Sequence, residues 1–240
     1  MLEITETPDI VTSSADYATR FNGPVGNWLL AVQERSTMQM LRDMPGARIL
    51  DVGGGHGQLT APLIREGFDV TVLGSAPVCS ERISSFVTSG QCSFRVGSLL
   101  SLPFDDQAFD VVISYRLASH INRWQHLLEE FSRVAKKAVI IDYPEVRSLN
   151  ALTPMLFSFK KLIEKNTREY RSFRERELLQ VFSSCGFSKE AKIPQFFLPM
   201  VFHRALKIPS LSAPLEAVCR YLGLTYLFGS PVILKVVRRN

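Results

Sequence analysis

Cysteine is scarce in this sequence. The four present, Cys79, Cys92, Cys185 and Cys219, share no metal-ligand spacing, so no metal site is expected and the thiols read as small buried hydrophobes. Long apolar runs are missing too. Stretches such as "AVII" and "FFLPMVF" fall far below the ~20 residues that span a bilayer, so no integral membrane segment is expected. The start, "MLEITETPDIV", is acidic and polar and lacks the basic beginning and apolar run of a secretory signal. A cytoplasmic protein is the expectation, a setting in which disulfides have little use. There is no internal repeat and no low-complexity tract, which excludes a solenoid or a disordered linker. Net charge is +5. That helps attract an anion, but there is no basic stripe of the kind that tracks nucleic acid, and no nucleic-acid partner is expected.

What remains is the composition of a globular α/β protein, with 46% hydrophobic and 21% charged residues in a chain of 240. Residues 1–13 read as a loose tail. Residues 27–43 carry Trp28, Leu29, Val32, Met38 and Leu41 at helical spacing, and "MPGA" ends that helix. The chain then alternates. "ARILDVG", "DVTVLG", "CSFRVG", "FDVVISY" and "KAVIIDY" read as strands. Gln58–Arg65, Pro77–Val87 and residues 123–134 read as the helices between them. This order predicts a parallel, doubly wound sheet with helices on both faces. Ligands of such sheets sit outside the carboxyl ends of the strands. Beyond Tyr143 the rhythm changes: residues 148–165 and 175–184 read as helical, and "GFSKEAKIPQFFLP" and "PVILKVV" as two closing strands. The division expected is a helical cap over 1–44 and a catalytic domain over 45–240, with a helical insertion or lid at 144–185 and the C-terminal strands at 186–240.

"ILDVGGGHGQLTAPL" places four glycines in five positions directly after the first strand. So bare a turn costs conformational entropy and lets another group approach the main chain. A nicotinamide-type turn needs G-x-G-x-x-G. Counted from Gly53, the sixth position is Gln58, so that class is disfavoured, as it also is by the absence of an acid after the second strand. The turn still offers backbone N–H groups to a carboxylate or phosphate.

Asp51-Val52-Gly53-Gly54-Gly55-His56-Gly57 resembles motif I of the class I S-adenosylmethionine-dependent methyltransferases. "SLPFDDQAFDVVISYRLASHI" and "FSRVAKKAVIIDY" resemble, in order, the following segments of their small-molecule "type 11", ubiquinone/menaquinone-like group. The resemblance covers roughly residues 45–145. It implies a Rossmann-like sheet of about seven mostly parallel strands, with S-adenosyl-L-methionine lying across the strand ends. The cofactor residues it implies are Asp51, Gly53, Gly54, Gly55, Gly57, Gly74, Ser75, Ser98, Leu99 and Tyr115. Asp51 would accept from the cofactor's ammonium, directly or through water. Two positions depart from the family. It ends its second strand with an acid for the ribose hydroxyls, where this chain has Gly74 and Ser75. It often has Asp near the adenine where this chain has Ser98. Tyr17 and Phe21 precede the first long helix, where related enzymes fold a segment over the cofactor, and an aromatic ring gains cation–π attraction from a sulfonium.

Methyl transfer from a sulfonium needs an aligned nucleophile, exclusion of water and, for oxygen or nitrogen, a base. His120, just beyond the fourth strand on the ligand side, is the base candidate, set against a packing role. His56 reads as an exposed side chain and His126 as structural; His203 has no assigned role. Asp105–Asp106 reads as a solvated turn and Asp110 as a local structural residue. Arg168 and Tyr170, with Arg171, are candidate lid residues for an anionic or aromatic substrate. Asp142 and Tyr143 end the fifth strand at the same rim, and Tyr143 is a substrate candidate. "FFLPMVFHRALKIPSL" is apolar for a surface region. It would complete a greasy pocket, make a dimer contact or, third, touch a membrane peripherally. The function expected is methyl transfer to a small apolar or aromatic metabolite. The alternative is a catalytically weak S-adenosylmethionine-binding partner protein. No N/D-P-P-Y/F tetrapeptide of nucleic-acid methylation is present.

Overall fold

A computed structural model describes residues 6–149 and 170–239. Two short helical turns, α1 (Asp9–Thr12) and α2 (Ala15–Ala18), lead to the long α3 (Gly23–Leu41). Pro24 stands in the first turn of α3, where an absent N–H costs nothing. Then come β1 (Arg48–Val52), α4 (Thr60–Arg65), β2 (Asp69–Gly74), α5 (Ser84–Thr88), β3 (Ser93–Val96), β4 (Phe109–Ser114), α6 (Trp124–Val134) and β5 (Ala135–Tyr143). The C-terminal third contributes α7 (Glu175–Ser184), β6 (Phe187–Pro194), α8 (Met200–Leu206), α9 (Pro209–Tyr221), α10 (Leu224–Phe228) and β7 (Val232–Arg238).

The strands form one sheet of seven in the order β3-β2-β1-β4-β5-β7-β6. β7 pairs antiparallel with both β5 and β6, and the other pairs are parallel. The strand order reverses between β1 and β4, so the crevice at their carboxyl ends is where such a sheet takes its ligand. Side-chain alternation divides the interior into two layers. Leu50, Val52, Val112, Val139 and Ile141 pack with α6 and α7 on one face. Ile49, Val111, Ile113 and Ile140 pack with α3 and α4 on the other.

Three expectations need correction. The described part of the N-terminal tail is not loose: α1 is seated against the glycine turn, and Asp9, Thr12 and Ser13 are buried. The helix after the glycine turn starts at Thr60 rather than Gln58, because Gly53 and Gly57 take left-handed φ of 75° and 70° around a 3-10 turn, Gly54–His56. Between the closing strands lies a helical unit, α8 to α10, that the reading of two strands omitted. The expected helix at 148–165 lies almost entirely outside the described residues. Among the described residues no helix is long and apolar enough to cross a membrane.

Candidate active site

The glycine turn leaves β1 at the crevice, and its bareness is used chiefly by the chain itself. A Cβ on Gly54 would collide with the Asp51 carboxylate. One on Gly55 would collide with the Cys79 carbonyl oxygen and lie 2.5 Å from Ser13 Oγ. Gly53 differs: a Cβ there would meet the Leu117 methyls at 3.3 Å and Asp9 Cβ at 3.6 Å. Its N–H donates to Leu73 O at 2.8 Å, tying the turn to β2.

Asp51 is wholly buried, and neither carboxylate oxygen has a hydrogen-bond partner. Burial pushes its pKa up to about 7. An acidic side chain so placed is complementary to a cation that the chain does not supply. His56, expected exposed, is buried. Its Nδ1 accepts from Gln58 N–H at 3.2 Å, so Nε2 carries the proton and has no partner. Burial, with the Arg116 and Arg82 guanidiniums, lowers its pKa to about 3, and the ring is neutral.

The N-terminal segment straps this turn. At one end Glu6 accepts from Asn122 N–H at 2.5 Å and from Arg123 N–H at 3.3 Å, just beyond β4. At the other, Asp9 accepts from Ser75 N–H and Ser75 Oγ, both at 2.6 Å, and from Cys79 Sγ at 3.3 Å. β2 ends at Gly74 without an acid of its own, and the carboxylate of Asp9 stands beside that end. A Cβ on Gly74 would lie 2.6 Å from Cys79 Cβ, so β2 has no room for a larger residue there. None of these strap contacts carries a sequence signal, since the partners lie 66 to 117 residues apart.

Arg116, directly after β4, is a second residue the sequence reading passed over. Its φ of 59° is left-handed, a conformation that costs a non-glycine residue ~1 kcal/mol. It is held there by its N–H on Asp142 Oδ1 at 2.6 Å and by guanidinium bonds to Gln33 and Gln58. The guanidinium lies 4.3 Å over the Phe21 ring, and that of Arg204 5.4 Å from the same ring. Phe21 is therefore already a cation–π partner of the chain's own arginines. Tyr17 carries the guanidinium of Arg20 at 4.9 Å. Burial raises the pKa of Asp142 to about 6, opposed by Arg116.

The remaining candidates separate. Ser75 is partly exposed at the rim, and Ser98 is exposed, with its Oγ accepting from Leu100 N–H at 3.2 Å. Leu99 is core. Tyr115 turns away from the glycine turn into the α3 layer, its hydroxyl 2.8 Å from Thr37 Oγ1. Tyr143 is buried in the α6 layer. His120 closes a 3-10 turn, Ala118–His120, after β4 and is half-buried. Chain from within the expected insertion runs beside this turn: Arg171 N–H donates to Ser119 O at 2.8 Å, and its guanidinium lies 5.2 Å over Trp124. Tyr170 precedes it at the surface, so it and His120 belong to one rim. Arg168 lies outside the described residues. Asp106 pairs with Arg133 at 2.9 Å on an exposed turn, and Asp110 with Lys137 at 2.9 Å. His126 pairs with Glu129 on the outer face of α6. His203 is buried 3.0 Å from Glu216 Oε1. Among the described residues no cluster suited to a metal ion occurs.

Fold and turn together define a Rossmann-like protein whose glycine turn stands at the β1–β4 switch. Residues 50–141 match the family model of a methyltransferase domain, in line with the group this segment resembles in sequence. An uncharacterized methyltransferase of Schizosaccharomyces pombe is 29% identical over 133 residues, covering 50% of this chain and 48% of that protein. The ubiquinone biosynthesis O-methyltransferase of Xanthomonas campestris pv. campestris is 29% identical over 141 residues, 54% of this chain and 57% of that one. The chain thus spans about half the length of these curated relatives. The magnesium protoporphyrin IX methyltransferase of Synechocystis PCC 6803, solved with bound S-adenosylhomocysteine, superimposes with a TM-score of 0.65 at 16% identity. It covers 95% of this chain and 97% of that one. At that identity the likeness speaks for the fold.

Proposed function

We propose that the protein transfers a methyl group from S-adenosyl-L-methionine to a small, apolar or aromatic metabolite. One observation carries the reading: Asp51, wholly buried at the end of β1, has two carboxylate oxygens without partners beside the glycine turn of a methyltransferase domain. The amino-acid end of the cofactor carries the ammonium that such a carboxylate fits. When bound, the cofactor supplies an electrophilic methyl on a sulfonium. Asp51 would hold the ammonium, and Gly53 would leave room for the backbone of the ligand to pass. His120 would take a proton from an oxygen or nitrogen acceptor.

Asp51 and Gly53 are buried, and Asp9 of the Glu6–Ser13 strap stands against the turn, its Cβ 3.6 Å from where a Cβ on Gly53 would lie. In this reading the strap lifts from Ser75 to admit the nucleotide. Loss of the acid at the end of β2 favours a second reading, a protein that binds the cofactor with little turnover.

Calorimetric titration with S-adenosylhomocysteine tests the site. Binding that is lost in Asp51→Ala supports it, and no binding to the wild-type chain overturns it. A transfer assay with methyl-labelled S-adenosylmethionine against a metabolite and lipid extract then separates enzyme from binder.

A further inference from the structure

The unit between β6 and β7 is inside out. α9 buries Ser212 and Glu216 against the body of the protein. Glu216 accepts from Phe197 N–H at 2.9 Å and Leu198 N–H at 2.8 Å, and meets His203. The opposite side of α9 is apolar and exposed: Leu211 at 47%, Leu215 at 38%, Val218 at 56% and Tyr221 at 91%. Leu222, Tyr226 and Leu227 continue this surface onto α10 at 63%, 68% and 59%. A water-facing helix normally has the reverse arrangement. The stretch singled out in the sequence, "FFLPMVFHRALKIPSL", reaches this face only at its end, Leu211. At its start Phe196 is core and packs on Trp28 at 5.3 Å, with His203 on the same ring at 5.1 Å.

The exposed charge carried by this unit itself has one sign. Within residues 199–229 the charged side chains are Arg204, Lys207, Glu216 and Arg220, and the single acid, Glu216, is buried. Lys207 and Arg220 are exposed at the border, one guanidinium nitrogen of Arg220 donating to Gln195 O at 3.1 Å and the rest of the group facing outward. Two copies paired through this face would each bring cations to the rim, where the neighbouring acid, Glu175, is already held by Lys189 and Lys192. A surface that is apolar below and anionic at its edge satisfies both features.

We propose that α9 and α10 dock this protein on an anionic lipid surface. The aliphatic side chains and the body of Tyr221 enter the headgroup–acyl boundary, while Lys207 and Arg220 reach the phosphates. Tyrosines with one apolar and one polar end suit that boundary. The proposal does not depend on the methyl-transfer reading.

Flotation with phosphatidylcholine vesicles, with and without phosphatidylglycerol, tests it on the full chain. Wild-type protein should float with the anionic vesicles, at least tenfold less with phosphatidylcholine alone, and less again at high salt. Val218→Glu combined with Leu215→Glu should cut flotation at least tenfold with an unchanged far-ultraviolet spectrum. Lys207→Glu with Arg220→Glu, which leaves the apolar face intact, should cut it severalfold. Wild-type protein that stays off anionic vesicles overturns the proposal. So does equal flotation of the Leu215/Val218 variant. A chain that elutes as a dimer by light scattering while staying off vesicles assigns the face to a second copy instead.

Discussion

The carboxylate of Asp9 receives both the N–H and the hydroxyl of Ser75, each at 2.6 Å, across 66 residues of chain. In the proposed site the closed strap would compete with a ligand for the ground beside Ser75. A site that is competent only when open shows an affinity reduced by the open fraction.

Asp9→Ala should therefore tighten S-adenosylhomocysteine binding. Hydrogen bonds to a charged acceptor are worth roughly 1.5–3 kcal/mol each, so a tenfold gain in affinity is a conservative expectation. Calorimetry on the variant beside wild type measures it, and weaker binding would contradict the competition. Glu6→Ala, at the other end of the strap, should act in the same direction with a smaller effect.

Asp51 makes stability depend on pH. Its carboxyl titrates near 4 in the unfolded chain and about 7 in the folded one. The native state thus holds more protons in between. The stability contributed by this group is fully present below pH 4 and lost as pH rises to 7. Asp142, raised to about 6, adds in the same sense. Thermal unfolding of Asp51→Asn should show a shallower fall between pH 5 and 8 than wild type, by a few kcal/mol at the upper end. An ammonium ligand restores the carboxylate, so binding near pH 6 should release a proton from wild type and not from Asp51→Asn. Titration in buffers of different ionisation enthalpy reads that proton.

The glycines should not behave alike. Gly55→Ala sets a Cβ against the Cys79 carbonyl and should destabilise the fold itself by several kcal/mol. Gly53→Ala meets side-chain methyls at 3.3 Å with a left-handed φ, costing ~1 kcal/mol. Its larger effect should be on ligand affinity. Thermal melts beside titrations separate the two.

His120→Ala should lower turnover by roughly 10²–10⁴-fold if the acceptor is an oxygen or nitrogen, with S-adenosylhomocysteine affinity changed less than threefold. Equal turnover would return the residue to packing.

Glu216→Ala leaves two N–H groups and His203 without their acceptor and should cost about 3 kcal/mol. Glu216→Gln should recover part of it in a chemical-denaturation midpoint.

The sheet was legible in the sequence because its strands are buried runs bounded by turns, and the glycine turn because four glycines cannot be explained by a simple bend. The strap was not legible. Asp9 sits in a short polar stretch with no periodicity, and only tertiary contact defines its role. His56 read as exposed since a histidine between glycines looks like a turn residue, yet the 3-10 turn folds it inward. Arg116 stood within a quoted motif, but nothing local announces a left-handed arginine. α9 escaped because its apolar stripe faces outward, so a reading that assigns apolar positions to the core finds no neighbour for them.

The position of Glu6 and Asp9 has a practical bearing. Whatever is fused ahead of Glu6, a purification handle or a fluorescent reporter, pulls directly on the two clasps at Asn122 and Ser75. Ligand affinities measured on such fusions belong to the fusion, and a handle placed after Arg239 leaves these two clasps untouched.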